Sequence, residues 1–221
     1  MAVTSIRTTA GWALARVVYK DWIVNRTVFL VYTGVLLLMA LRVLPVGGPV
    51  VMATMMASFF VLTSAAQDER NNSQTFINSL PVSRRDVVTG KYVLSIGAGV
   101  ALTGITLLVT ALREPMPGRV MLGQLFLSAG VISTFVSVFI PMYYLLGSRF
   151  VQLGLFVLFI LVVAVAPPAY NLAVRHNFWG LLDTLRAVPV ETLQTVAAVT
   201  VVVLLLASWR LSVALYNRKE F

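Results

Sequence analysis

Six long apolar runs dominate the sequence and decide which kind of fold is open to it. Several of them approach the ~20 residues that an α-helix needs to cross the hydrocarbon core of a bilayer. We therefore predict an all-α, polytopic membrane protein, with one transmembrane domain over residues 1–221 and six transmembrane helices. The predicted spans are Val28–Leu44, Val50–Ala66, Tyr92–Leu112, Val120–Leu146, Phe150–Ala166 and Thr192–Tyr216.

The composition agrees with a lipid environment. Hydrophobic residues make up 59% of the chain and charged residues 11%, whereas soluble domains carry roughly 25% charged residues. The net charge of +9 would suggest nucleic-acid binding in a soluble protein. No soluble basic domain remains outside the apolar runs, so we expect contact with anionic lipid and no nucleic-acid partner. The chain has no cysteine, which excludes disulfides and thiolate metal sites.

The distribution of basic residues predicts the orientation of the chain. Six crossings place both termini on one side of the membrane. With the N-terminus inside, 12 Lys and Arg residues lie on the inner side and 5 on the outer side. Because cytoplasmic loops carry the excess of Lys and Arg, we predict that both termini, including the tail at 217–221, are cytoplasmic. The expected location is the bacterial cytoplasmic (inner) membrane.

Residues 4–26 precede the first span and have a mixed character. Trp12, Tyr19 and Trp22 are amphipathic rings of the kind that lie at the headgroup boundary. We predict an interfacial helix along the inner leaflet, followed by spans one and two within residues 28–66. A plain cytoplasmic extension of the first span is the alternative, and Asp21 interrupts the apolar stripe of the predicted helix.

The long polar segment at 67–91 separates spans one and two from spans three to six, which occupy residues 92–216. Phe76, Ile77 and Leu80 are spaced so that they share one side of a helix, and Pro81 cannot continue that helix. The segment is therefore predicted to contain a short amphipathic helix on the cytoplasmic side.

The start of the third span carries a capping signal. Ser83 and Asp86 resemble a capping box, with Asp in place of the usual Glu. A helix from Ser83 to the end of the span would be about 45 Å long, against a hydrocarbon core of about 30 Å. Its first turns are expected to protrude from the membrane, with Arg84, Arg85 and Lys91 as headgroup anchors or as contacts to an acidic partner surface.

Three groups of residues in this region resemble the signature of ABC-2 type exporter permeases. In that family an acidic-Arg pair closes span two, an LPxSR stretch follows, and a Gly-Lys pair opens span three. The residues between the first two groups resemble those of the small bacterial permeases that export peptide toxins, phenol-soluble modulins and antimicrobial peptides. The groups are Asp68-Glu69-Arg70, Ile77-Asn78-Ser79-Leu80-Pro81-Val82-Ser83-Arg84 and Gly90-Lys91-Tyr92, with Asn71-Asn72-Ser73 between the first two.

The resemblance implies a coupling helix at 67–91 that docks into a groove on a separate ATP-binding subunit, which would hold ATP and Mg²⁺. It also implies a dimer with a second permease copy or a paralogue, and export of amphipathic or hydrophobic cargo such as peptides. By position, the first three of the following residues would hold the helix against the bundle, the next three would fill the groove, and the last two would flank it, with the helix-ending Pro81 and the capping Ser83 between: Asp68, Glu69, Arg70, Phe76, Ile77, Leu80, Pro81, Ser83, Arg84 and Arg85.

The sequence does not predict catalysis on this chain. Gly90 and Lys91 lack the earlier glycine of a phosphate loop, because that position is Arg85, and Tyr92 stands where Ser or Thr should follow the lysine. None of the six predicted cores contains Asp, Glu, Lys or His. This argues against an intramembrane enzyme or a proton-coupled transporter, which need such groups at bilayer depth. A passive channel or a scaffold subunit remains the alternative function.

Spans two and four contain candidates for the wall of a path between two copies, since methionine adapts to varied apolar ligands. Lipid contact or helix packing is the alternative. In span four, Pro141 should bend the helix, and Ser137 could satisfy the carbonyl that Pro141 leaves free. Span three has small residues four positions apart, Gly97 with Ala101 and Ser95 with Gly99, a spacing that would let another helix approach closely. The path candidates are Met52, Met55, Met56, Phe59, Phe135, Phe139, Met142 and Tyr143.

Overall fold

The computed structural model of the protein describes residues 9–44, 48–70, 83–147, 149–154 and 189–218. Within these ranges the regular structure is helical throughout. A short helical stretch at 149–154 follows the fourth long helix. The long helices are α1 Thr9–Ala40, α2 Pro49–Arg70, α3 Arg84–Arg113, α4 Gly118–Leu146 and α5 Val190–Arg218.

The predicted fold class is confirmed for the part of the chain that the structure describes. All five long helices contain a stretch long and apolar enough to cross a membrane. They correspond to predicted spans one to four and six. The remaining predicted span, Phe150–Ala166, lies outside the described residues except for its first turn, so the count of six stays a prediction.

Helix α1 is longer than the sequence pattern suggested. We predicted an interfacial helix at 4–26 that is distinct from the first span, but α1 continues without interruption from Thr9 to Ala40. No Pro or Gly occurs between Gly11 and Gly34 to break it. The alternative, an extension of the first span, is therefore the arrangement that the helix adopts.

Helix α3 is the central helix of the described bundle and packs against each of the other four. Its glycines allow this close approach. A Cβ atom at Gly99 would lie 2.9 Å from Ile132 Cγ2 of α4 and 3.3 Å from Ala57 Cβ of α2. A Cβ atom at Gly90 would lie 2.9 Å from Val17 Cγ1 of α1. Small residues thus allow neighbouring helix backbones to come close, as they often do in membrane proteins.

The predicted start of the third span is confirmed. Ser83 is the N-cap of α3, in an extended conformation with φ −70° and ψ 142°. Its hydroxyl accepts a hydrogen bond from the Asp86 amide at 3.1 Å and donates one to Asp86 Oδ2 at 2.6 Å. The cap satisfies one of the amide groups that a helix start leaves without an intrahelical partner.

The bundle has two ends that are distinguished by their connections. At the end we call the loop end, α2 finishes at Arg70 and α3 begins at Arg84. At the opposite end, which we call the far end, α1 and α3 finish. There Arg42 forms an exposed ion pair with Glu114, and Arg113 donates a hydrogen bond to the carbonyl of Leu41. These contacts join α1 to α3 at the far end.

The carbonyl freed by Pro141 has a partner different from the predicted one. The hydroxyl of Ser137 donates to the carbonyl of Ser133 at 2.8 Å. The carbonyl of Ser137, which a residue other than proline at 141 would pair with its amide, accepts from Ser208 Oγ of α5 at 2.5 Å. The neighbouring helix thereby supplies the hydrogen-bond donor that proline removes from the interior of α4.

This bond continues into a chain of hydroxyl groups between α3 and α5. Ser208 Oγ donates its one proton to a carbonyl, so Tyr92, whose hydroxyl is 2.6 Å away, must donate to Ser208. The Tyr92 proton is then used, so Ser212, 2.9 Å away, donates to Tyr92. The order Ser212, Tyr92, Ser208, Ser137 carbonyl joins three helices through buried polar groups with consistent donors and acceptors.

Candidate functional site

The loop end is the part of the molecule where the predicted site residues concentrate. Of the segment at 67–91 that was predicted to carry the coupling helix, residues 67–70 end α2 and residues 84–91 begin α3. The part at 71–82, with Phe76, Ile77, Leu80 and Pro81, lies outside the described residues. Its place in a partner groove therefore stays a prediction. The helix ends that flank this segment are described, and they carry the remaining predicted residues.

The three residues that close α2 have different environments. Asp68 is buried and forms an ion pair with Lys91 of α3. Glu69 and Arg70 are exposed. Asp68 thus joins α2 to α3, while Glu69 and Arg70 lie at the surface beside the predicted coupling segment.

Two charged residues of α1 extend this pair into an ionic cluster, which we define as Lys20, Asp21, Asp68 and Lys91. Lys20 Nζ lies 2.8 Å from Asp21 Oδ1 and 3.9 Å from Asp68 Oδ1. Lys91 Nζ also donates to Ser64 Oγ at 3.3 Å. The cluster therefore connects α1, α2 and α3 near the loop end.

The cluster is largely removed from water and is electrically balanced. The side chains of Lys91, Asp68 and Asp21 are 5%, 9% and 4% exposed, while that of Lys20 is 26% exposed. Two lysines and two aspartates sum to zero charge. Because buried charges are tolerated only when they are paired, each member of the cluster depends on the others.

The ionic cluster was not predicted from the sequence. We concluded that no predicted core contains Asp, Glu or Lys, but Asp21, Asp68 and Lys91 lie within the candidate spans Leu14–Ala40, Pro49–Arg70 and Arg84–Arg113. The helices continue past the apolar runs, and the opposite charges pair there. The sequence does contain one indication of the cluster. All three charges flank the predicted inner ends of consecutive spans, and antiparallel packing of neighbouring helices brings those ends together.

Arg84 and Arg85, predicted to flank a partner groove, also bind within the chain. Arg84 Nη1 donates to the carbonyls of Tyr216 at 3.2 Å and Asn217 at 2.9 Å, in the last turn of α5. The Arg85 guanidinium carbon lies 4.8 Å from the ring centroid of Trp209. A cation at a helix C-terminus and over an aromatic face is favourable. Both arginines therefore hold α5 against the first turn of α3.

The path candidates fall into two groups. On α2, Met55 and Phe59 are exposed, and the other two methionines are partly buried. On α4, the rings of Phe135 and Phe139 stack with centroids 5.8 Å apart, and those of Phe139 and Tyr143 are 6.1 Å apart. Phe139 and Tyr143 are buried in the core of a single chain. These two side chains therefore pack the bundle, while the exposed pair on α2 faces outward.

Metal chemistry has no candidate centre in the residues that the structure describes. No group of three or more His, Asp or Glu side chains there could hold a metal ion. The charged residues at the loop end form ion pairs and hydrogen bonds across helix boundaries. The arrangement is suited to holding helices together and to transmitting displacement between them.

Comparison with known proteins identifies the family. The sequence profile described as ABC-2 family transporter protein matches residues 16–217. Neither the curated proteins nor the solved structures gave a significant match. The matched region includes the loop-end residues of α2 and α3 and nearly all of the described helices. Because the profile covers almost the whole chain, this membrane protein belongs to the ABC-2 family of transporters.

Proposed function

We propose that the chain is the permease subunit of an ABC exporter and that a separate ATP-binding subunit supplies the energy. The observation that carries this proposal is the family match over residues 16–217. ATP and Mg²⁺ would bind on the partner chain, since this sequence has no phosphate loop. The cargo would be amphipathic or hydrophobic, and the resemblance at 71–73 to small bacterial permeases favours peptides.

The geometry of α3 supports a mechanical role for the segment at 71–82. Helix α3 has 30 residues, about 45 Å at 1.5 Å per residue, which exceeds the ~30 Å of a bilayer core. Its first turns can therefore reach a partner outside the membrane. Because α3 also packs against each of the other four long helices, displacement of its first turns would be transmitted through the bundle.

We place the loop end and both termini on the cytoplasmic side, because 12 basic residues lie on that side and 5 on the other. In this orientation the predicted coupling helix faces the compartment that contains ATP. Nucleotide-driven closure of two ATP-binding subunits would move two such segments, one in each permease of a dimer. Transport would then follow from reshaping of the boundary between the two permeases.

The exposed pair Met55 and Phe59 is the best-placed part of the predicted path. Both lie on the outward face of α2, the helix that leads directly into the coupling segment. A flexible thioether beside an aromatic ring can adapt to apolar cargo of varied shape. In a dimer this face of α2 would line the path, with Met52 and Met56 beside it.

Co-purification in detergent with the ATP-binding subunit tests this proposal. The double variant Phe76→Ala/Leu80→Asp should lose the subunit, because it removes two of the three apolar side chains predicted to fill the groove. The matched control, Leu112→Ala, changes an exposed apolar residue at the far end of α3 and should retain it. Retention of the subunit by both variants, or its absence with the parent chain, would favour a channel or scaffold.

Charge reversal at Arg84 and Arg85 gives a second test of the same surface. If the arginines contact an acidic groove, Arg84→Glu/Arg85→Glu should weaken co-purification. Both arginines are exposed, and an exposed cation at a helix C-terminus or over an aromatic ring contributes only about 0.3–1 kcal/mol, so the variant should still fold. Unchanged co-purification would restrict both arginines to holding α5.

A further inference from the structure

The segment at 71–82 is covalently continuous with α2 and α3 only. A force applied there reaches α1 through side-chain contacts, because α1 is separated from the segment by the whole of α2. The first helix nevertheless contacts both loop-end helices in the region of the ionic cluster. Whether α1 follows a displacement of the segment therefore depends on the strength of these contacts.

The charges of the cluster oppose separation of the three helices. Asp68 of α2 pairs with Lys91 of α3, and Lys20 Nζ of α1 lies between Asp21 and Asp68, 2.8 Å and 3.9 Å away. If α1 moved away alone, Asp68 would lose its second cation in a buried site. Asp68 would keep Lys91 and Asp21 would keep Lys20, so the resistance comes from losing the attraction between the two pairs, which a buried site screens less than water does.

Steric contact reinforces the charges one residue before Lys91. Gly90 has no side chain, and Val17 of α1 fills the space over it, so that a Cβ atom built at Gly90 lies 2.9 Å from Val17 Cγ1. Val17 itself is buried. A side chain seated over a glycine resists sliding, because either direction brings it against the larger neighbours of that glycine.

We propose that α1, α2 and α3 move as one unit when the coupling segment is displaced, and that Lys20, Asp21, Asp68 and Lys91 are the positioning residues that make α1 follow. The proposal rests on the proposed permease function. Under it, the ATP-binding subunit acts on three helices through a segment connected to two. Helix α1, including its extension before the first apolar run, then becomes part of the moving element.

A disulfide between α1 and α3 provides a reversible test. The chain has no cysteine of its own, and a Cβ atom at Gly90 lies 3.6 Å from Val17 Cβ, within the range of about 3.5–4.5 Å found in disulfides. Val17→Cys/Gly90→Cys should therefore cross-link on oxidation without movement of the backbone. The reduced form of the same protein is the matched control.

In the complex with the ATP-binding subunit, the oxidised variant should hydrolyse ATP as fast as the reduced one. Cross-linking should also reach the same yield in the nucleotide-free complex and after trapping with ATP and vanadate. Loss of hydrolysis on oxidation that is recovered on reduction, or a yield that changes on trapping, would show that α1 moves relative to α3 and would overturn the proposal.

A second arm uses the chain in membranes without the ATP-binding subunit and tests the positioning residues themselves. Added to the cysteine pair, Lys91→Met should slow cross-linking severalfold, and so should the charge-balanced Lys91→Met/Asp68→Leu, which avoids an unpaired charge. Arg119→Gln, at an exposed position of α4, should leave the rate unchanged.

The two arms separate failure of this inference from failure of the proposed function. Equal cross-linking rates with and without the ionic pair would show that the cluster does not position α1, and this result does not depend on an ATP-binding partner. Absence of an ATP-binding partner for the unmodified chain would instead contradict the permease function, while slower cross-linking without the pair would still establish the link between α1 and α3.

Discussion

Replacing Lys91 by methionine should destabilise the protein far more than replacing Lys91 and Asp68 together. The single change leaves Asp68 in a site where its side chain is 9% exposed, with Lys20 at 3.9 Å already paired to Asp21. The cluster then carries one net negative charge. Breaking a buried ion pair costs about 3–5 kcal/mol. The double variant Lys91→Met/Asp68→Leu restores balance and should be close to the parent.

Thermal unfolding in a mild detergent measures this difference. For a chain of this size, about 3–5 kcal/mol corresponds to a decrease in Tm on the order of 10 °C. The double variant should recover most of that decrease, because replacing both charges of a buried pair by apolar groups is often neutral. Arg42→Gln serves as the control. It removes an exposed ion pair of the kind that contributes about 0–1 kcal/mol, so its Tm should stay near the parent value.

Three results would distinguish the explanations. Recovery in the double variant with loss in the single one is the expected pattern. A double variant as unstable as Lys91→Met would mean that the fold requires the other contacts of the Lys91 ammonium group, with Ser64 Oγ and the Tyr143 ring, rather than its pairing with Asp68. An unchanged Tm in Lys91→Met would refute the reasoning, because it would show that Asp68 is solvated or neutral without its partner.

Two further substitutions test the helix contacts in the same assay. Gly90→Ala places a methyl group 2.9 Å from Val17 Cγ1 and should cost about 1–3 kcal/mol through overpacking; Gly97→Ala, where no atom lies within 4 Å, is the control, and equal Tm values would contradict the close approach. Ser208→Ala leaves the carbonyl of Ser137 without its donor and should cost about 1–3 kcal/mol, so an unchanged Tm would argue against that bond.

The apolar runs and the cap of α3 could be predicted from the sequence because both depend on local chemistry. A bilayer selects apolar stretches of fixed minimum length, and five of the predicted spans fall on described helices. Ser83 and Asp86 are three residues apart, so their bonds require no knowledge of the rest of the fold. The all-helical class follows from the same runs.

The N-terminal extent of α1 and the ionic cluster could not be predicted in this way, because they depend on how α1, α2 and α3 pack together. Asp21 interrupts the apolar stripe predicted for residues 4–26, and its burial becomes acceptable in the ionic cluster, where Lys20 Nζ lies 2.8 Å away. Likewise, Asp68 and Lys91 read as residues of a solvated loop until their pairing is known. Hydropathy gives the free-energy cost of burying each residue alone, whereas the cost of burying two opposite charges depends on whether the fold brings them together.

Contacts between distant residues also explain why the partners of the two arginines and of the free carbonyl were not predicted. Arg84 and Arg85 lie beside the coupling segment in sequence, but their partners in α5 lie more than a hundred residues away. The carbonyl of Ser137 could be recognised as lacking an intrahelical amide, because Pro141 removes it. Its donor, Ser208, is a property of how α4 and α5 pack.

Site-specific photo-cross-linking in cells tests most directly whether the coupling segment contacts an ATP-binding subunit. A photoreactive phenylalanine analogue at position 76 should capture that subunit, whereas the same analogue at Leu112, an exposed residue at the far end of α3, should not. Capture at 76 alone would support both the partner and the orientation of the chain. Capture at neither position, or at Leu112 alone, would contradict the account.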